Sequence, residues 1–262
     1  EFLAEEDLLT YLDAVIRVYN QFGRRDNKYK ARIKILVKAL GIERMRELVE
    51  DEWDRIKGGE GKLTQAELNR VKKHFVDPAY KALTNDPAEL VAAREENAAF
   101  ARWLGRNVRA HKQAGYAIVT LTLKQIGTPP GDVTAEQLDQ IAQLSDDYSF
   151  GELRSTHQQN LVLPDVEQTE LFGLWQKLKA LGLATPTLGL LTDMICCPGG
   201  DFCALANAKS IPVAEAIQAR FEDVDYQHDL GEIDLNISGC MNACGHHHIG
   251  HIGVLGVDKK GE

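Results

Sequence analysis

An α+β fold follows from three textures that succeed one another along the 262 residues. The first is helical: Leu8, Leu12, Val15, Ile16 and Tyr19 recur at spacings of three and four, as do Ile33, Leu36, Val37 and Leu40. The second alternates strand and helix patterns, and the third gathers all five cysteines into a glycine-rich stretch. We divide the chain accordingly into a helical region (1–85), an α+β layer (86–185) and an α/β segment (186–262).

In the helical region, Gly23 and Gly41 stand where C-caps belong, and GGEG at 58–61 reads as a loop. Thr64 followed by Glu67 is a capping-box pattern that predicts a helix through Phe75. Asp77-Pro78 and Asp86-Pro87 mark a less regular connection. Ala117 to Leu123 (AIVTLTL) alternates and is rich in β-branched residues, so it predicts a strand. Pro129-Pro130-Gly131 turns the chain, and Thr134 caps a helix to about Leu144. Glu152 to Leu163 (ELRSTHQQNLVL) alternates again as a second strand. A helix from about Gln168 to Leu181 follows, with Leu171, Leu174, Trp175 and Leu178 as its apolar stripe and Gly182 at its end. Strand, helix, strand, helix in this order is a layer of ferredoxin-like type. In the last segment Cys203 opens a helical stretch (ALANAKS) and Val213 to Phe221 forms another helix. Ile233 to Ile237 is a strand that delivers Ser238-Gly239-Cys240. Ile249 to Val257 carries glycine at 250, 253 and 256, which predicts a strand pressed against a cofactor or another sheet.

Composition narrows the function classes. A net charge of −9 argues against a nucleic-acid partner, whose footprint is a basic excess. No stretch approaches about 18 uninterrupted apolar residues, and the acidic, amphipathic first residues are not a secretory leader, so the expected location is the cytoplasm, away from membranes. The chain opens on Glu1 rather than methionine, and we expect a piece of something longer. One local surplus stands out: seven basic residues and a single acid between Arg24 and Lys38. That run is either a solvated helix face or a surface for an anionic cofactor or acidic partner.

The chemistry is carried by two clips, CPGGDFC from Cys197 to Cys203 and CMNAC from Cys240 to Cys244. Four soft thiolates, close backbone approach and free amide N–H groups are what a cubane iron–sulfur cluster needs. An odd cysteine count, the adjacent pair Cys196-Cys197 and the lack of an export signal disfavour disulfides. Structural zinc is the stronger competitor, although the five-residue gap of the first clip exceeds the usual two to four between zinc ligands. Cys196 reads as a small buried filler. His246, His247, His248 and His251 invite a metal reading, but three consecutive side chains cannot face one ion from a regular strand; only His246 and His248 could share a face. A surface or cofactor-edge role is the plainer reading.

CPGGDFCALA followed by ISGCMNACGHHHIGHIGVLG resembles the cluster and sirohaem signature of the nitrite and sulfite reductase haemoproteins. GRRDNKYKARIKILVKALG at 23–41 is similar to the linker between the two halves of those enzymes, and ELRSTHQQNLVL to their repeated strand motif. Within the family, the bacterial assimilatory sulfite reductase haemoprotein type is the nearest in pattern. The resemblance implies a 4Fe–4S cluster on Cys197, Cys203, Cys240 and Cys244, with Cys244 also bridging to the iron of sirohaem and Asn242 beside the macrocycle. Arg154 and Gln159, in the strand motif, are implied either to contact the cofactor or to line the interface between the two halves. The implied reaction is the six-electron reduction of sulfite to sulfide, with nitrite as the alternative substrate within the family. The implied donor is a flavoprotein or ferredoxin. Outside the family, the alternative is a non-catalytic electron-transfer or zinc-stabilised module. The resemblance also implies that the first half of the enzyme, which supplies the catalytic arginines and lysines, lies outside this chain. No catalytic residue is therefore assigned, and the isolated chain is expected to be inactive. It further implies that the basic run packs near the cluster. Met241 departs from the family, which has proline after the third cysteine.

Overall fold

The computed structural model describes residues 2–28 and 30–258, which fall into two compact units divided between Pro78 and Ala79. In the first, α1 (Leu8–Phe22), α2 (Ile33–Leu40) and α3 (Ile42–Ile56) bury Ala14, Val18, Leu36, Met45 and Val49 against one another. Gly41, at a φ of 83°, reverses the chain between α2 and α3. The Trp53 indole donates to Thr10 Oγ1 at 3.0 Å, tying α3 back to α1. Helix α4 (Gln65–Lys72) begins on Thr64, whose hydroxyl accepts from the Glu67 amide at 3.2 Å. Only that half of the expected capping box forms, because the Glu67 carboxylate turns to Arg70 one turn on.

The connection marked by Asp77-Pro78 and Asp86-Pro87 is irregular, as expected, and two helices follow it over a stretch to which the sequence reading assigns no element: α5 (Ala88–Glu96) and α6 (Ala98–Asn107). Helix α5 is rich in alanine and buries only Leu90, so its periodicity is faint. The legible signal was Asn97, whose side chain accepts from the Phe100 amide at 3.0 Å and starts α6. A four-stranded antiparallel sheet follows, in the order β1 (Val108–Ala110), β2 (Tyr116–Leu121), β4 (Leu161–Glu167) and β3 (Arg154–Ser155). Helix α7 (Ala135–Tyr148) starts with a complete capping box of Thr134 and Gln137. Helix α8 (Leu171–Ala180) turns Leu171, Leu174, Trp175 and Leu178 inward as expected. Phe100, Trp103, Val119, Leu121, Ile141 and Leu163 complete the core between these helices and the sheet. The α+β class and the ferredoxin-like layer are thus present.

The continuous strand expected over Glu152–Leu163 is instead a hairpin. Thr156 to Asn160 turns the chain, with the Thr156 amide donating to Asn160 O at 2.9 Å, and β4 runs on to Glu167. Alternation alone does not distinguish a strand from two short strands flanking a polar turn.

The remaining strands are all parallel, in the order β5 (Ile195–Cys196), β6 (Leu235–Ser238) and β7 (Ile252–Leu255). Helices α9 (Ile211–Arg220) and α10 (Val224–Leu230) form the crossover from β5 to β6. The crossover from β6 to β7 contains no helix, an economy that parallel strands seldom manage. The helix expected at ALANAKS does not form, because the amides of Asn207 and Ala208 leave the helical ladder to donate to Gly239 O at 2.8 and 3.0 Å. Leu163→Ala, which truncates a fully buried side chain on an inner strand, is expected to lower the unfolding free energy by about 2–5 kcal/mol. An unfolding free energy from denaturant titration that falls by less than about 1 kcal/mol would contradict this account of the core.

Candidate metal centre

Strand β5 ends on Cys196 and releases Cys197 into the first clip, a 3₁₀ turn at Gly199–Asp201 that closes when the Cys203 amide donates to Gly199 O at 2.9 Å. Strand β6 ends on Ser238 and releases Gly239 and Cys240 into the second. There the Ala243 amide donates to Cys240 O at 3.1 Å, and Ala243 takes a φ of 58°, a left-handed conformation that L residues seldom adopt. The Gly245 amide donates to Ser238 Oγ at 3.1 Å and closes the turn.

The two clips are joined backbone to backbone. Cys197 Sγ accepts from the amides of Gly199 at 3.3 Å and Gly239 at 3.1 Å. A Cβ on Gly239 would lie 2.8 Å from the Gly199 Cα, so only glycine permits this approach. Gly253 is constrained in the same way: a Cβ there would lie 1.9 Å from the carbonyl oxygen of His247. The expectation that the last strand presses on a cofactor or sheet resolves into contact with the crossover loop itself. That contact lets a helix-free connection lie flat on β7.

Cys197 and Cys240 are buried, Cys203 is half-buried and Cys244 is exposed. Among the described residues no three Cys, His, Asp or Glu side chains close on one another as a single-ion site. Tetrahedral zinc would need sulfurs only about 3.7 Å apart, from Zn–S bonds of about 2.3 Å. A cubane carries each thiolate on a separate iron and spans a wider gap. The buried Oδ1 of Asn242 and Nδ1 of His247 have no hydrogen-bond partner. Soft donors, amides aimed at sulfur and orphaned polar atoms in and just after the second clip fit an iron–sulfur group.

Cys196 is 3% exposed and lies in the small apolar core with Leu191, Met194, Leu235 and Ile237. Burial, reinforced by the neighbouring Cys197, pushes its thiol up to about 12, so it packs as a neutral side chain. His246 and His248 do share a face, their rings stacked at 6.4 Å, and both are exposed. His251 accepts from the Asp234 amide at 2.9 Å. In the helical unit, Arg24 pairs with Asp26 and the Arg25 guanidinium lies 4.8 Å from the Tyr19 ring centre, so part of the basic run is used locally.

The two candidate contacts in the strand motif have different surroundings. Arg154 is exposed and its Nε donates to Glu152 at 2.6 Å. Gln159 turns its carboxamide to the backbone of Cys196. Sequence reasoning passed over Lys124, which is 2% exposed and whose ammonium donates to the carbonyls of Gln158 and Gln159 at 2.8 and 2.9 Å. The only textual signal was a lysine closing an otherwise apolar strand pattern. Burial pushes Lys124 down to about 8 against the pull of Asp193, and burial likewise raises Asp193. Between about pH 8 and 10.5 the folded chain therefore holds fewer protons at Lys124 than the unfolded chain, and stability gains from this group as pH rises. Cys196 acts in the opposite sense above pH 9, where only the unfolded thiol ionises. Comparing wild type with Lys124→Met cancels that contribution. The wild-type unfolding free energy is expected to rise relative to the variant across the window; parallel curves would refute the buried ammonium.

Two family models match the chain: the "Nitrite/Sulfite reductase ferredoxin-like half domain" over residues 111–181 and the "Nitrite and sulphite reductase 4Fe-4S domain" over residues 1–57. The latter segment contains no cysteine, and both clips lie outside the two matches. The chloroplastic ferredoxin–nitrite reductase of Betula pendula is 26% identical over 270 residues, covering 100% of this chain and 39% of that enzyme. Sulfite reductase [ferredoxin] 2 of Mycolicibacterium paratuberculosis is 27% identical over 250 residues, covering 93% of this chain and 38% of the relative. The solved structure of the Mycobacterium tuberculosis NirA protein superposes with a TM-score of 0.60 at 25% identity, covering 97% of this chain and 41% of that one. The chain thus spans about two fifths of the length of these relatives. None of the helices among the described residues is long and apolar enough to cross a membrane. The chain is thus similar in two segments to the models of nitrite and sulfite reductase domains, and along nearly its whole length to relatives named for nitrite and for sulfite reduction.

Proposed function

We propose that this chain supplies the cluster-holding part of a six-electron reductase of sulfite or nitrite. The observation that carries the reading is the junction of the clips, in which an amide of the second is bonded to the first thiolate of the first. Cys197, Cys203, Cys240 and Cys244 hold the cluster. Cys244 is the exposed member, and it is the one that would serve both the cluster and sirohaem. When bound, the cluster supplies electrons and the sirohaem iron the binding position for the anion, a division of labour in which the chemistry is the cofactors' own. The protein's contribution is to fix sulfur positions, aim amide dipoles at them and exclude water from the buried pair.

Both substrates are small oxyanions, and relatives named for each match at similar identity. The sulfite preference inferred from the sequence therefore widens to either anion. Ferredoxin is the proposed donor, on the strength of the names of those relatives. No basic side chain of this chain is assigned to proton delivery.

Anaerobic reconstitution with iron and sulfide is expected to give a brown chain with about four iron atoms. Alanine at Cys197, Cys203, Cys240 or Cys244 should lower that content, whereas Cys196→Ala should leave it unchanged. Stoichiometric zinc without colour would overturn the reading in favour of a structural module. With reduced methyl viologen and sulfite, the chain by itself should release no sulfide above background; measurable turnover would mean that the basic residues it needs are present here.

A further inference from the structure

The free edge of β5 is occupied by a side chain. Gln159 Nε2 donates to Cys196 O at 2.9 Å, and the Cys196 amide donates back to Gln159 Oε1 at 2.8 Å. A carboxamide thus stands in for the peptide of a neighbouring strand, opposite the edge that β5 pairs with β6. To reach it, Gln159 adopts a φ of 58°, unusual for a residue with a side chain. Lys124 holds it there by capping the two successive carbonyls of Gln158 and Gln159. The next residue, Asn160, locks the turn on both sides: its Oδ1 accepts from the Leu123 amide at 3.0 Å and its Nδ2 donates to Asp193 at 2.8 Å. Asp193 in turn accepts from the Gly189 amide at 3.0 Å, in the segment leading into β5.

We propose that Gln159 is a positioning residue for the first clip: its carboxamide fixes the Cys196 peptide, and through it the direction in which Cys197 presents its sulfur, while Lys124 fixes Gln159. The next peptide after the clamped one carries the thiolate that accepts the Gly199 and Gly239 amides, so a tilt at Cys196 moves that sulfur off both donors. A lysine kept almost fully out of water is costly to the fold, and its two carbonyl bonds are the gain it offers in return. The relevance to a cluster rests on the function proposed above, but the clamp itself is a property of the chain without metal.

The test is alkylation of the reduced, metal-free chain with iodoacetamide, followed cysteine by cysteine by mass spectrometry. In Gln159→Ala the labelling rates of Cys196 and Cys197 should rise about tenfold, as loss of a buried hydrogen-bond pair implies, while Cys203 and Cys244 change by less than about twofold. Gln159→Glu, which keeps the acceptor and loses the donor, should give a smaller rise in the same two residues, and it carries the test should the alanine variant fail to fold. In reconstituted protein, Gln159→Glu should shift the reduction potential of the bound cluster at unchanged iron content. A folded Gln159→Ala or Gln159→Glu with the wild-type labelling pattern would overturn the proposal. Failure of the wild type to take up iron would instead overturn the cluster reading and leave the labelling comparison intact.

Discussion

The structure around the cysteines depends on one close approach, that of the Gly239 peptide to the Gly199 peptide, with the thiolate of Cys197 between the amides they present. Two segments forty residues apart in sequence are thereby held so close that neither glycine has room for a side chain of its own. Gly239 also spends its carbonyl on the amides of Asn207 and Ala208, so every polar group of that peptide is committed across the seam. Because backbone groups buried without partners are expensive, this arrangement tolerates little displacement. It also leaves the sulfur facing two donors, the electrostatic setting that the proposed iron–sulfur group would meet.

That seam rests on a slender base. The parallel sheet encloses a core of a few residues, among them Met194, Cys196, Leu235 and Ile237, whereas the antiparallel layer buries a far larger apolar cluster between its sheet and helices. A three-stranded sheet with so little apolar burial does not hold a rigid site by itself. Rigidity comes from the larger layer through the β3–β4 turn, whose Gln159 and Asn160 side chains bond β5 and the segment before it. The hydrophobic stability of one layer is thus converted by a polar turn into positional accuracy in the other.

The conversion has a cost, visible in Lys124 and Asp193. Both are driven toward their neutral forms by burial despite their mutual attraction. Buried polar networks of this kind contribute less to stability than an apolar core would, but they tolerate only one arrangement. For a site whose ligands come from separate loops, a single arrangement matters more than a few kcal/mol of stability. The outer clip obeys a different logic: Cys244 and its neighbours Met241 and Ile249 are exposed, so the face carrying the last thiolate remains open.

Much of the molecule was legible in the residues themselves. Periodicity located α1, α2, β2 and α8, and the Thr134 pattern fixed the start of α7, because those signals arise from local sterics and from which face meets the core. The cysteine spacing was equally local, and the proposed donor set rests on it. Tertiary structure decided the rest. Faint periodicity hid α5, alternation concealed the hairpin at Thr156–Asn160, and the ALANAKS segment lost its helix because its amides found a carbonyl in a distant clip. The roles of Lys124 and Gln159 were illegible for the same reason: a hydrogen bond formed across thirty-four residues or more leaves no periodic trace, and only the folded chain determines which distant peptide a side chain will meet.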